Sequence, residues 1–314
     1  MTQFITRAYN NIQVNPTSKA TLIKSSKELR LKDEVEYYKS IPSDLAVYFP
    51  RLVSSGQHDE LYSMELEYYA YDNLGNLMVS GEALPDTWDK VFDFLFSYLD
   101  KCKEHTLKRP NVVDSYMMYV KKTESEYRNL INNFPFFADL DQYSEVSLNG
   151  KKLKSFNTIW PTIREYITQH CYTSDFNIIH GDFCFGNILY GVNPNNKDVV
   201  LKFIDPRGSF GGVKTYGDQY YDLAKLRHSC QSGYEYLTTD NFTIDQDGEQ
   251  SFQLSYSNNN GQAIDHKLST YIDRYGYDQT KIDILHGTIY IGMCARHYDS
   301  ITRQKAMLLI GLDI

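Results

Sequence analysis

An α+β fold in two unequal parts is predicted, and three observations predict it. Strand patterns dominate residues 1–72, with one helix among them. Helical periodicity dominates residues 73–314. Two apolar strands, ending near Ile179 and Ile204, interrupt the helical part, and each leads into an aspartate. Strands gathered in one part of a chain and helices in the other mark a segregated α+β architecture. With 314 residues, 42% of them apolar and 23% charged, the chain can fill one generous core or two lobes.

In the first part, residues 4–14 and 19–24 read as a hairpin joined at Asn15-Pro16-Thr17-Ser18. A helix follows over 27–40, with Leu31, Val35 and Tyr38 as its inward stripe. Pro42 and Pro50 bracket a connector, residues 61–71 return as strand, and a linker falls near 67–73. In the second part, residues 85–104 form a helix with Trp88, Phe92, Leu95 and Leu99 on one side. Further helices are expected over 112–132, 160–170, 218–229, 263–274 and 281–312. The stretch 282–294 is apolar nearly all round, as a buried helix would be. Residues 241–257 read as a polar hairpin turning at Asp247-Gly248, either a surface decoration or a lid or subunit contact.

Composition excludes several classes. No run approaches ~18 apolar residues, so no membrane span is expected. Met1–Arg7 carries neither an apolar core nor a cleavage site, which makes the cytoplasm the expected location. Five scattered cysteines, never in a C-x-x-C pair, argue against a disulfide framework and a cysteine zinc site; Cys184 is expected to be a buried, inert thiol. A net charge of −8 opposes nucleic-acid binding, and the basic run 101–108 is broken by Glu104. The acidic balance leans weakly toward a cationic acceptor.

The chemistry concentrates in Ile178-Ile179-His180-Gly181-Asp182-Phe183-Cys184-Phe185-Gly186-Asn187 and in Val199-Val200-Leu201-Lys202-Phe203-Ile204-Asp205. Asn193-Pro194-Asn195-Asn196 supplies the turn between them, so the hairpin holds both acids at one end. A carboxylate for an acceptor hydroxyl (Asp182), then an amide (Asn187) and a second carboxylate (Asp205) as hard oxygen ligands for magnesium, suit phosphoryl transfer from a nucleotide.

H-G-D-x-x-x-x-N with a downstream I-D resembles the catalytic core of the aminoglycoside phosphotransferase and choline kinase superfamily. The resemblance implies a bilobal protein-kinase-like fold, with a nucleotide-binding lobe over 1–72 and a catalytic, acceptor-binding lobe over 73–314. It implies ATP and magnesium as cofactors, Asp182 as catalytic base, Asn187 and Asp205 as metal ligands, and His180 in a structural role. Asp218 with Asp222-Leu223-Ala224 fits the family's D-x-x-x-D-L-A pattern, which makes Asp222 an anchor of the catalytic loop. Lys24, ending an apolar strand, and Glu34, on the inward side of the next helix, match the family's phosphate-binding lysine and its glutamate. Glu67, Tyr68 and Tyr69 fall, by position, where adenine would meet backbone. The chain departs from the pattern in lacking a G-x-G-x-x-G before Lys24, so a phosphate-covering loop is not legible.

On the acceptor side, Arg207 would pair with the transferred phosphate or with a neighbouring carboxylate. Tyr216, Tyr220 and Tyr221 offer an aromatic box, a sugar platform or plain packing. His297, Tyr298, Asp299 and Arg303 lie on the C-terminal helices, from which the family draws its acceptor site. I-D-P-R-G with Y-D-L-A-K-L-x-H-S is similar to a subgroup associated with bacterial surface (capsule) polysaccharide clusters. The expected partner is thus a small-molecule alcohol: a sugar, a polysaccharide precursor or an amino alcohol. A protein kinase and a non-catalytic nucleotide-binding regulator are the alternatives. No A-P-E element follows Asp205, which argues against the first, and the intact Asp182, Asn187 and Asp205 argue against the second.

Overall fold

Four strands, β1 (Asn10–Val14), β2 (Thr21–Ser26), β3 (Leu52–His58) and β4 (Leu61–Glu67), form an antiparallel sheet in the order β1-β2-β4-β3. The computed structural model describes residues 10–83 and 86–314; the expected strand start at Phe4, the Met1–Arg7 segment and the helix start at Pro85 lie outside them. Side-chain alternation turns Lys24 and Ser26 of β2, with Met64 and Leu66 of β4, toward the buried face. The helix α1 (Leu29–Ser40) covers that face, and its Leu31 and Val35 join Met64 and Leu66 in a small separate core. The strand β3 carried no recognisable signal because it is a polar, mostly exposed edge strand, specified by pairing with β4. The strand expected over 61–71 stops at Glu67, and Asp72–Asn73 pair instead with Tyr190 and Leu189 of the catalytic hairpin.

The remainder is mostly helical and packs on a second, much larger core. That core also takes in Tyr37, Ile41, Leu45 and Phe49, so the first 72 residues contribute to both. The helix Thr87–Lys103 buries Trp88, Phe92, Leu95 and Leu99 as its spacing requires. The helix expected over 112–132 is Val112–Tyr116 and Lys122–Asn133 joined by a π-helical turn, Met117–Lys121. The helix expected over 160–170 begins a turn earlier, at Phe156, and holds Pro161 within it. A short helix, Pro135–Leu140, and a hairpin, Glu145–Leu148 with Lys151–Lys154, were not legible in the sequence. The hairpin explains residues 241–257: Ser251 and Phe252 pair in parallel with Ser147 and Leu148, giving a four-stranded sheet with Phe252 fully buried.

The last helical stretch is broken. Gln279–Ile291 is buried nearly all round, then a tight turn, Cys294–His297, precedes Ile301–Asp313, which is capped by Ser300. The break brings Arg296, His297 and Arg303 to one cavity. Among the described residues no helix is long and apolar enough to cross a membrane. The whole is the α+β arrangement expected, a strand-rich lobe on a mostly helical one.

Candidate active site

A cavity of about 640 Å³ lies between the sheet lobe and the helical lobe, lined by Lys24, Glu34, Asp182, Asn187 and Asp205 among others. The strand Asp175–Ile178 leads into His180-Gly181-Asp182. A 3-10 turn, Phe185–Asn187, then opens the hairpin Ile188–Val192 and Val199–Phe203. Both ends of the hairpin meet here because Ile188 pairs with Phe203 and the Asn187 carbonyl accepts from the Ile204 N–H.

Asp222 anchors the loop from helix Gln219–Cys230. Its two oxygens accept the N–H groups of His180 and Gly181, each at 2.7 Å. Burial pushes its carboxyl up to about 7, against the pull of those two donors. Gly181 has φ +77°, and a Cβ there would stand 2.7 Å from Arg207 Cβ, so the tight path needs glycine on both counts. His180 is fully buried. Its Nδ1 accepts from the Asp182 N–H at 3.2 Å, so the proton sits on Nε2, which donates to the Ile204 carbonyl at 2.9 Å. Burial lowers the ring to about 4, and a neutral ring spent on backbone is a scaffold. A second anchor was missed in the sequence: Ser229 accepts from the Phe185 N–H and donates to buried Glu235, which also accepts from the Gly186 N–H.

Asp182 meets two cations. Lys225 Nζ lies 3.0 Å from Oδ1 and Arg30 Nη2 lies 3.1 Å from Oδ2. Burial opposes ionisation, yet Lys225 and Arg30 hold this carboxyl well below the usual range. Neither cation was foreseen. Lys225 had a signal, since it follows Asp222 by three residues and so shares its helix face. Arg30 had none, because it reaches across from α1, 152 residues away in sequence.

Lys24 is buried and donates to Glu34 and to Asp205, both at 2.7 Å. Burial pushes Glu34 up to about 7 although Lys24 pulls it down, and its second oxygen has no hydrogen-bond partner among the described residues. Asp205 adopts a left-handed backbone, φ +57°, which an aspartate tolerates better than most residues. Burial again works against its charge, and Lys24 keeps the carboxyl below its ordinary value. Asn187 donates its amide nitrogen to the Asp182 carbonyl at 2.8 Å, which turns its oxygen the other way. Asn187 Oδ1 and the Asp205 carboxylate are therefore hard oxygen donors lining one cavity, and they fit a magnesium ion. Gly208 has φ +77° and packs so closely on α1 that a Cβ would lie 2.4 Å from the Asp33 carbonyl oxygen, which brings α1 against the I-D-P-R-G segment.

Other expected residues are distributed unevenly. Arg207 and His297 line the cavity, as do Tyr298, Asp299 and Arg303. Tyr216 does not: it pairs with Ile178 in a short strand, and among the described residues Tyr221, Tyr234 and Tyr298 are the tyrosines at the wall. Glu67 and Tyr69 are also outside the lining. Tyr69 donates to Glu67 at 2.8 Å, and the Glu67 N–H is taken by the Arg51 carbonyl. Cys184 is at the wall but buried, and burial pushes its thiol up, away from reactivity. Tyr221 is the outlier: burial should raise it, but Lys122, Arg207 and Lys225 pull its hydroxyl down to about 7.

No protein-family model and no curated protein matches this chain. Among solved structures, it is similar to the crystal structure of an aminoglycoside-3'-phosphotransferase of type VIII. The two are 12% identical, with 91% of this chain and 94% of that chain covered and a TM-score of 0.46.

Proposed function

We propose that this chain is a phosphotransferase of the small-molecule kinase class, moving the terminal phosphoryl group of ATP to a hydroxyl of a small molecule with magnesium. One observation carries the reading. Lys24, buried beside Glu34, reaches Asp205 across 181 residues of sequence, in the same cavity that Asp182 and Asn187 line. Residues 1–72 would hold the nucleotide and residues 73–314 the acceptor, in a cytoplasmic enzyme. A sugar, a polysaccharide precursor or an amino alcohol would serve as acceptor.

In this reading the acceptor hydroxyl sits on Asp182. Its oxygen attacks the γ-phosphorus, the bond from phosphorus to the β–γ bridging oxygen breaks, ADP leaves, and the hydroxyl proton passes to Asp182. A carboxylate held this acidic is a weak base, so Asp182 orients the hydroxyl first and takes the proton late, as a loose transition state allows. Lys24, fixed by Glu34, binds phosphate oxygens. Asn187 Oδ1 and the Asp205 carboxylate would hold magnesium, which supplies charge neutralisation on the phosphates. The structural work of His180, Asp222, Ser229 and Glu235 is to keep Asp182 and Asn187 in register.

The test is transfer of labelled phosphate from ATP to a panel of sugars, aminoglycosides, choline, ethanolamine and generic proteins. Labelling of a small alcohol that disappears in Asp182→Asn supports the reading. Labelling of proteins alone makes this a protein kinase. Binding of ATP with no transfer to anything makes it a regulator.

A further inference from the structure

The acceptor end of the cavity carries a small excess of positive charge in a chain that is acidic overall. Its walls present Lys122, Arg207, Lys225, Arg296 and Arg303, against the carboxylates of Asp182 and Asp299. Three of the cations are paired. Lys225 meets Asp182 at 3.0 Å, Arg296 meets Glu126 at 2.9 Å, and Arg303 meets Asp299 at 2.9 Å and Asp240 at 3.0 Å. The other two are not. Among the described residues neither Lys122 nor Arg207 forms an ion pair with a carboxylate. Lys122 Nζ instead faces the Tyr221 hydroxyl at 3.3 Å. All this stands in a chain of net charge −8.

The surplus acts on its surroundings. Burial, reinforced by Arg207, Arg296 and Lys225, pushes the Lys122 ammonium down to about 8. The cations that pull Asp205 down are Lys24 and Arg30, whereas those that pull Tyr221 down are Lys122, Arg207 and Lys225. Asp182 itself meets Arg30 of α1 on one oxygen and Lys225 on the other, and Lys225, Lys122 and Arg207 line the cavity wall together with Tyr221. A choline or aminoglycoside ammonium would meet like charge at that wall.

We infer that the acceptor is itself an anion, a small polyhydroxy compound whose phosphate or carboxylate group is bound by Lys122 and Arg207 while a hydroxyl rests on Asp182. Phosphate and carboxylate share the needed chemistry, since both accept charge-assisted hydrogen bonds from ammonium and guanidinium groups. The inference rests on the phosphotransfer reading and narrows its substrate class. Tyr221 and Tyr234 supply a surface for the carbon skeleton between the two ends.

The experiment compares glucose, glucose 6-phosphate, glucuronate and glucosamine as acceptors for the full chain with saturating magnesium and ATP. Glucose 6-phosphate or glucuronate should exceed the neutral and amino sugars by at least about 10-fold in kcat/KM, and whichever wins tells a sugar phosphate from a sugar acid. Lys122→Gln and Arg207→Gln should each reduce that preference by roughly 10- to 100-fold, through KM rather than kcat, the range for losing a hydrogen bond to a charged group. Circular dichroism melting checks that both variants fold. Preference for glucose or glucosamine overturns the anion inference and leaves the phosphotransfer reading standing. Should none of the four be phosphorylated, the phosphotransfer reading is decided by the wider acceptor panel, and calorimetric titration of glucose 6-phosphate tests the anion site directly. Binding weakened at least tenfold by Lys122→Gln sustains an anion site. No binding, or binding indifferent to Lys122, overturns it.

Discussion

Replacing Lys225 with methionine isolates what holds Asp182 ionised. The ammonium lies 3.0 Å from the carboxylate. In an effective dielectric of about 20 that attraction is about 5.5 kcal/mol as an upper limit. Arg30 stays at 3.1 Å, and water enters the site, so the net rise is smaller than that attraction alone would give. Asp182 then rises from well below the usual carboxylate range toward it. The acid limb of kcat/KM, which follows the free enzyme's base, should move to higher pH. The sign for stability follows the same group. A depressed pKa contributes stability above the unfolded value near 4 and loses it as pH falls through the folded value. The variant should therefore be less stable at pH 7 by about 1 to 3 kcal/mol, with the gap closing below about pH 4. Rate profiles and urea melts from pH 4 to 8 measure both, and Lys225→Arg should restore the wild-type limb. An unmoved acid limb with an unchanged rate would refute the reasoning.

Asp182→Asn should lower phosphoryl transfer by about 10² to 10⁴ while ATP affinity stays nearly intact, as steady-state rates and a nucleotide titration will report. Asp205→Ala should weaken magnesium–ATP binding more than Asn187→Ala, because one removes a charged ligand and the other a neutral one. Calorimetry with and without magnesium checks this, and an unchanged magnesium dependence for Asp205→Ala would sink the metal assignment. Asp222→Ala strands two buried N–H groups, so it should cost about 2 to 5 kcal/mol in urea unfolding, and a value below 1 would deny the anchor its role.

Local sequence determined the chemical vocabulary of this protein. The strand–turn–strand around Asp182 and Asp205 was readable because two apolar runs, a turn of Asn and Pro residues and the acids at their ends all lie within 28 residues. The α1 stripe and the helix over Trp88, Phe92, Leu95 and Leu99 were readable for a similar reason, since helical periodicity is a short-range signal. Position along the chain placed Lys24 and Glu34 on facing elements, and a strand followed by a helix brings such residues together over ten positions. What remained hidden depends on long-range pairing. β3 is polar and exists through β4, and the hairpin at 145–154 exists with its partner at 242–256. Tyr216 was a reasonable wall residue in sequence, but strand pairing with Ile178 keeps it away from the cavity, while Arg30 arrives there from another lobe. Electrostatics escaped most completely. Net charge is a sum over all residues, whereas a ligand meets the few side chains that folding gathers, here Lys122 and Arg207 beside Tyr221. An acidic chain can therefore enclose a basic site, and only the packing of four distant segments decided that it does.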